Sequence, residues 1–220
     1  MTKTLNILWQ MIKINLKQTI IYRVNFLITL WSMALWIAIY VIFFEVIFTH
    51  VDTVAGWNRS EMLLFLAFYY FMQSIGNIFY RESFEVFDQE IRRGRIDQAL
   101  TKPASTQILL FFRILRFDHI VDFLLTFIIF AYIFMTTDLV VKPLMLIAGL
   151  LVAIFGNLLF YGLLLALASL LFYVEKMDGI GSFMWHLSQI SRYPRQIYKG
   201  IGKILFEFIF PIALIASVPA

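Results

Sequence analysis

Long uncharged apolar runs alternate with short charged ones along this chain, and the lengths of the apolar runs predict membrane-crossing helices. A hydrocarbon core about 30 Å thick takes about 20 helical residues to cross. Residues 24–44 supply 21 without a charge and 62–80 supply 19, so the first two spans are expected at about 24–48 and 62–80. The uncharged run 123–137 has only 15 residues. A span there must begin near His119 and carry Asp122 close to one membrane face, within a segment set at about 108–136. The run 144–174 is 31 residues long, enough to tilt, kink or extend past the headgroups. Beyond it the pattern weakens: 179–190 is short and moderately apolar, 191–203 is basic, and 204–218 is apolar but broken by Pro211.

Two amphipathic segments flank these runs. Near the N-terminus Leu5, Leu8, Trp9, Ile12 and Leu16 fall on one helical face, while Asn6, Gln10, Lys13 and Lys17 repeat on another. That spacing predicts an interfacial helix over 4–22, lying along an anionic leaflet; a plain leader before the first span is the alternative. No short apolar core with a small-residue cleavage site marks a cleavable signal peptide. Between the second and third spans lies a charged insert, RESFEVFDQEIRRGRIDQALTKP over 81–103. Phe84, Phe87 and Ile91 share a helical face, and Asp88 and Arg92 have the i, i+4 spacing of an ion pair. Gly94 is placed to stop the helix, and a short second turn over 96–100 ends before Pro103. The insert reads as an elbow over 82–100, anchored by its Phe residues on the membrane face, or alternatively as a solvated loop at the headgroups.

Composition agrees with the pattern: 61% of residues are hydrophobic, 24 are Phe and the mean hydropathy is +0.83, where soluble domains are roughly half apolar. With the N-terminus inside, 12 of the 18 Lys and Arg flank the spans on the cytoplasmic side, which orients the bundle. The net charge of +4 reflects these flanks and gives no reason to expect a nucleic-acid partner. With no Cys, disulfides and thiolate chemistry are excluded, and His50, His119 and His186 form no metal-binding spacing. Gly200-Ile201-Gly202-Lys203 lacks the first glycine and the hydroxyl residue of a phosphate-binding loop. Asn58-Arg59-Ser60 matches the glycosylation triplet, a pattern frequent by chance.

Within the spans, Gln73 and Asn77 lie at i, i+4 and Asn157 follows Gly156. Intramembrane polar groups are costly without a partner or water, so these three are candidates to line a translocation path, or else they tie helices together. Gly149, Ala153 and Gly156, with Gly162 and Ala166, read as close helix contacts. Asp118 and Asp122 share a face and are expected to pair with Arg81, Arg113 or Arg116.

The stretch from Arg93 to Pro103, R-G-R-I-D-Q-A-L-T-K-P, resembles a signature of the ABC-2 type permeases, and more narrowly the small six-span exporter branch in which an IRxGxxDxxLxxP stretch follows the second span. Ser191-Arg192-Tyr193-Pro194, Phe210-Pro211-Ile212 and Val218-Pro219-Ala220 resemble that branch's RYP, P-hydrophobic and PA elements. The resemblance implies an all-α polytopic bundle with a coupling helix, here 82–100, that docks on a separate ATP-binding subunit. Glu85, Asp88, Arg92, Arg93, Gly94, Arg95, Asp97, Lys102 and Pro103 would form that docking element. It further implies a fifth span at about 178–191 and a re-entrant element over 194–219. No sixth span follows, so the chain is expected to lack its last span, with a five-span protein as the alternative. A competing parse makes 204–218 the fifth span.

The expectation for function is therefore the permease subunit of an ATP-driven exporter of a small amphiphilic or drug-like molecule. Its partners would be an ABC-type ATPase carrying ATP and Mg, a second permease copy or paralogue, and the bilayer of the cell membrane. The chain itself would bind no cofactor and catalyse no reaction. A secondary transporter would want inverted repeats and ionisable groups at the bilayer midplane. An intramembrane enzyme would want a nucleophile and base or a metal cluster, and a structural subunit would leave the elbow without a role.

Overall fold

The computed structural model describes residues 2–54, 56–102, 105–137 and 143–170, together with His186 and Gly200. Apart from those two single residues, the expected fifth span and re-entrant element, the tail motifs and Pro103 lie outside the described residues, as does the side chain of Asp88. Among the described residues every regular element is a helix. Helix α1 (Thr2–Ile21) meets α2 (Arg23–Phe48) at a kink on Tyr22, and α3 (Arg59–Phe79) follows after a short loop. The elbow comprises α4 (Arg81–Glu85), α5 (Phe87–Arg92) and α6 (Arg95–Leu100), and leads to α7 (Thr106–Phe111). A 3-10 turn, Phe117–His119, opens α8 (Ile120–Thr136), and α9 (Pro143–Leu170) is the last described element.

Among the described residues four helical segments are long and apolar enough to cross a membrane: α2, α3, the turn with α8, and α9. They form a helical membrane bundle with α3 at its centre. Inside α3's apolar window 72% of residues are buried in protein, against 6% for α2, which turns most of its surface outward. Asn58 starts α3 with a capping box: its Oδ1 accepts from the Glu61 amide and its own amide donates to Glu61, each at 2.9 Å. At that end Arg59 grips Glu45 of α2 through two bonds of 2.7 and 2.8 Å, and Tyr132 of α8 donates to the same carboxylate at 3.1 Å. One bidentate pair thereby holds three helices in register.

Gly149, Ala153 and Gly156 are buried along α9, which packs on α3. Small residues let the two backbones approach, the packing mode expected where lipid removes the hydrophobic drive for helix association. Gly162 and Ala166 differ from expectation: both are exposed, and nothing lies within 4 Å of a Cβ built at Gly162.

The third span begins at Phe117, beside the His119 start that its length requires, and the upstream part of the 108–136 segment is instead the separate α7 and a loop. Residues 112–116 form a non-helical strap whose polar groups are satisfied from elsewhere. Ile114 N–H donates to Ser83 at 3.3 Å, Leu115 N–H to Asn15 Oδ1 at 3.2 Å and Arg116 N–H to the Ile78 carbonyl at 3.0 Å. Asn15 Nδ2 also donates to the Arg113 carbonyl at 3.1 Å, so a single buried amide fastens α1 to the strap.

Candidate functional site

The elbow turns twice. Val86 interrupts the helix between α4 and α5, and Gly94, at φ 65°, reverses the chain between α5 and α6. Its left-handed conformation suits a residue without Cβ. A Cβ there would meet Asp97 Oδ2 at 3.9 Å, ordinary contact, so the demand on this position is conformational rather than steric.

Phe84 and Phe87, expected on a membrane face, are instead 1% and 2% exposed in a protein core with Phe111, Phe160 and Leu164. Phe84 stacks on Phe111 at 4.4 Å and meets Tyr161 edge-on at 5.7 Å. The apolar face was legible in the sequence, but its partner is α7 and α9 rather than lipid.

Arg92, Arg93, Gly94, Arg95, Asp97 and Lys102 lie on the exposed side of the elbow. Asp97 sits in the first turn of α6, where a negative charge suits the helix N-terminus, but makes no side-chain cap. Glu85 is half-buried near Arg81, Glu82, Arg116 and His119, and burial pushes its carboxyl above the usual range.

Ion pairs bind this element to the bundle. Glu90, 8% exposed, accepts from Arg95 at 3.1 Å and from Arg113 of the strap at 3.0 Å. Arg116 bridges Glu82 at 3.0 Å and Asp118 at 2.6 Å, and the hydrogen-bonded Asp118 carboxylate raises its guanidinium further above the usual arginine value. Asn25 and Thr29 of α2 complete the shell of Asp118, at 3.4 and 3.3 Å. Glu90 and Asn15 escaped the sequence reading. The available signal was position: Glu90 follows Phe87 by three residues and Asn15 follows Ile12 by three, which puts each polar group on an apolar face.

Asp118 thus pairs with Arg116 as expected, whereas Asp122 does not pair with an arginine. Its Oδ2 lies 2.6 Å from His119 Nδ1 and accepts from Asn77 Nδ2 at 3.4 Å. The sequence spacing concealed this because the 3-10 turn brings His119 over the first turn of α8.

Gln73 and Asn77 line one cavity of about 200 Å³ between α2, α3 and α8, which Asp122, Arg81, Tyr69 and Trp36 also border. Gln73 donates to Tyr69 at 2.7 Å and accepts from Arg81. Asn157 is not among the lining residues. It accepts from Tyr80 and donates to the Met72 carbonyl at 2.8 Å, both buried, and so ties α9 to α3. Among the described residues no three His, Asp or Glu gather to hold a metal ion.

Residues 33–220 match a family model described as ABC-2 family transporter protein. No curated protein and no solved structure matches the chain.

Proposed function

From the premise that this chain belongs to the ABC-2 transporter family and is a multi-pass membrane permease, we propose that it exports a small amphiphilic or drug-like molecule using ATP hydrolysed by a separate subunit. The N-terminus and elbow face the cytoplasm of a cell whose plasma membrane holds the complex. A second copy or a paralogue completes the permease. The elbow is the docking element, with Arg92, Arg93, Gly94, Arg95, Asp97 and Lys102 presented to the ATPase, and Pro103 just beyond.

The observation that carries this reading is the two-sidedness of the elbow. Its outer face is charged and exposed, while Phe84, Phe87 and Glu90 fix its inner face to α7, α9 and the strap. A partner that displaces such an element moves the strap with it, and the strap continues into the third span. Rigid-body transmission of this kind needs a stiff lever and few soft joints. The ion pairs of Glu90 and Arg116 stiffen the lever.

Affinity capture of the tagged chain from native membranes in mild detergent, followed by mass spectrometry, tests the proposal. Recovery of an ABC-type ATPase, lost when residues 93–97 are scrambled, is the expected result. Absence of any ATPase under conditions that preserve a known permease complex overturns it and moves a secondary transporter to the front.

A further inference from the structure

Arg81 opens α4 at the end of the second span, yet its guanidinium turns back into the bundle. It donates to Gln73 Oε1, eight residues earlier on α3, where a long cationic side chain at a span end ordinarily reaches out to the headgroups. Gln73 is itself fixed by its bond to Tyr69 at 2.7 Å, so the amide aims the guanidinium at the cavity between α2, α3 and α8. Arg59, Arg95, Arg113 and Arg116 each meet a carboxylate at 3.1 Å or closer. Among the described residues Arg81 makes no ion pair, and its bond to a neutral amide leaves most of its N–H donors unused.

A partly buried guanidinium without a counter-charge is costly until an acceptor completes it. The nearby carboxylates do not. Asp122 borders the same cavity, but its Oδ1 is buried out of reach and its Oδ2 is occupied by His119 at 2.6 Å and Asn77 at 3.4 Å. Glu85 lies near Arg81 beyond ion-pair distance, and burial favours its neutral form. The cavity thus offers open donors on its Arg81 side and an engaged carboxylate on its Asp122 side. An amine head would meet the unpaired guanidinium, and a neutral head would leave its charge uncompensated. Trp36, Ile37, Tyr69 and Tyr70 wall the remainder with apolar and aromatic surface. Trp36 is 52% exposed, so this wall reaches the surface of the bundle, where a molecule dissolved in the bilayer meets it.

We infer that this cavity receives the oxyanion head of an amphiphile, a carboxylate, phosphate or sulfonate, which accepts N–H bonds from Arg81 while its apolar body rests on Trp36 and Tyr70. The inference rests on the permease reading only for calling the guest a cargo. Repulsion from Asp122 sets the register, holding the head to the Arg81 side. Gln73 is a positioning residue here, because it touches the guanidinium rather than the guest. The volume of about 200 Å³ suits the head and its nearest carbons, with the rest of a longer molecule extending outward past Trp36. A bilayer phospholipid and a free organic acid carry the same head chemistry.

The test uses the full chain in phosphatidylcholine nanodiscs with three probes of matched shape: phenylbutyrate, phenylbutyramide and phenylbutylamine. Equilibrium binding is measured on the permease itself with empty nanodiscs subtracted, and stimulation of ATP hydrolysis is measured on the complex with its ATPase. Phenylbutyrate is expected to bind about tenfold tighter than the amide, the scale of one charge-assisted hydrogen bond, and the amine to bind weakest. Arg81→Gln is expected to erase that preference. Gln73→Glu is close to isosteric and places a carboxylate on the guanidinium, so it is expected to erase the preference as well, and a misfolded Arg81 variant does not remove the test. Mass spectrometry of lipid carried through purification names the source of the head: an anionic phospholipid held by the parent and lost from Arg81→Gln assigns it to the bilayer, and a phenylbutyrate preference without such a lipid assigns it to a free acid. Equal binding of the three probes with no such lipid, tighter binding of the amine, or a preference that survives both substitutions overturns the inference. A phenylbutyrate preference without any effect on ATP hydrolysis would retain the site and count against the ATP-driven reading instead.

Discussion

Arg113 of the strap donates to Glu90 of α5 across 3.0 Å, joining the elbow to the segment that leads into the third span. Glu90 is nearly buried, so Glu90→Ala strands Arg95 and Arg113 without their shared counter-charge. Both arginines are about half exposed, which limits the loss to about 1–2 kcal/mol, below the cost of breaking a fully buried pair. The expected outcome is a modest fall in melting temperature and a several-fold fall in cargo moved per ATP, with the ATPase still recovered in affinity capture. Unchanged cargo per ATP would remove the strap from the transmission route.

Tyr80 and Asn157 form a second tie, within the protein interior. Tyr80→Phe leaves Asn157 Oδ1 without a donor, and Asn157→Ala strands the Tyr80 hydroxyl. Each single change is expected to cost about 1 kcal/mol, the range of interhelical hydrogen bonds in membranes. A double-mutant cycle on thermal stability should show coupling of similar size. Strict additivity would mean that the two side chains do not share a bond.

Glu85 makes stability depend on pH. Its carboxyl is raised chiefly by burial from the ordinary value of 4.5, so the folded protein holds that proton more tightly than the unfolded chain does. Proton uptake therefore favours the fold, and this contribution is lost as pH rises from the ordinary value through the raised one. Glu85→Gln should melt higher than the parent at about pH 8, with the gap closing as the pH falls below the ordinary glutamate value. Parallel melting curves for the two proteins across that window would show that the carboxylate is fully hydrated.

The four spans among the described residues were legible because a bilayer imposes a length that any uncharged helix of about 20 residues meets. Gly94 was legible because only a few residues accept its backbone angles. The destination of Phe84 and Phe87 was not, since periodicity gives the direction of an apolar face and says nothing of what covers it. The strap was hidden for a different reason. Residues 112–116 leave the helix because Asn15, Ser83 and Ile78, all distant in sequence, supply their hydrogen bonds. The cavity was half legible: Gln73 and Asn77 shared a face in the sequence, while the contribution of Asp122 depended on how α8 sits against α3.

Gly94 separates conformation from bulk. Because a Cβ there finds only ordinary contact, the cost of substitution comes from holding an L-residue at φ 65°, about 1–2 kcal/mol. Asn accepts this region better than Ala, and a β-branched residue accepts it worst. Transport per ATP is therefore expected to fall in the order Gly, Asn, Ala, Val, with Gly94→Val uncoupling hydrolysis from transport. Asp97→Lys should uncouple as well, through the charge that the elbow presents rather than through its shape. A series ordered by side-chain volume, with Ala ahead of Asn, would mean instead that the ATPase packs directly against this turn.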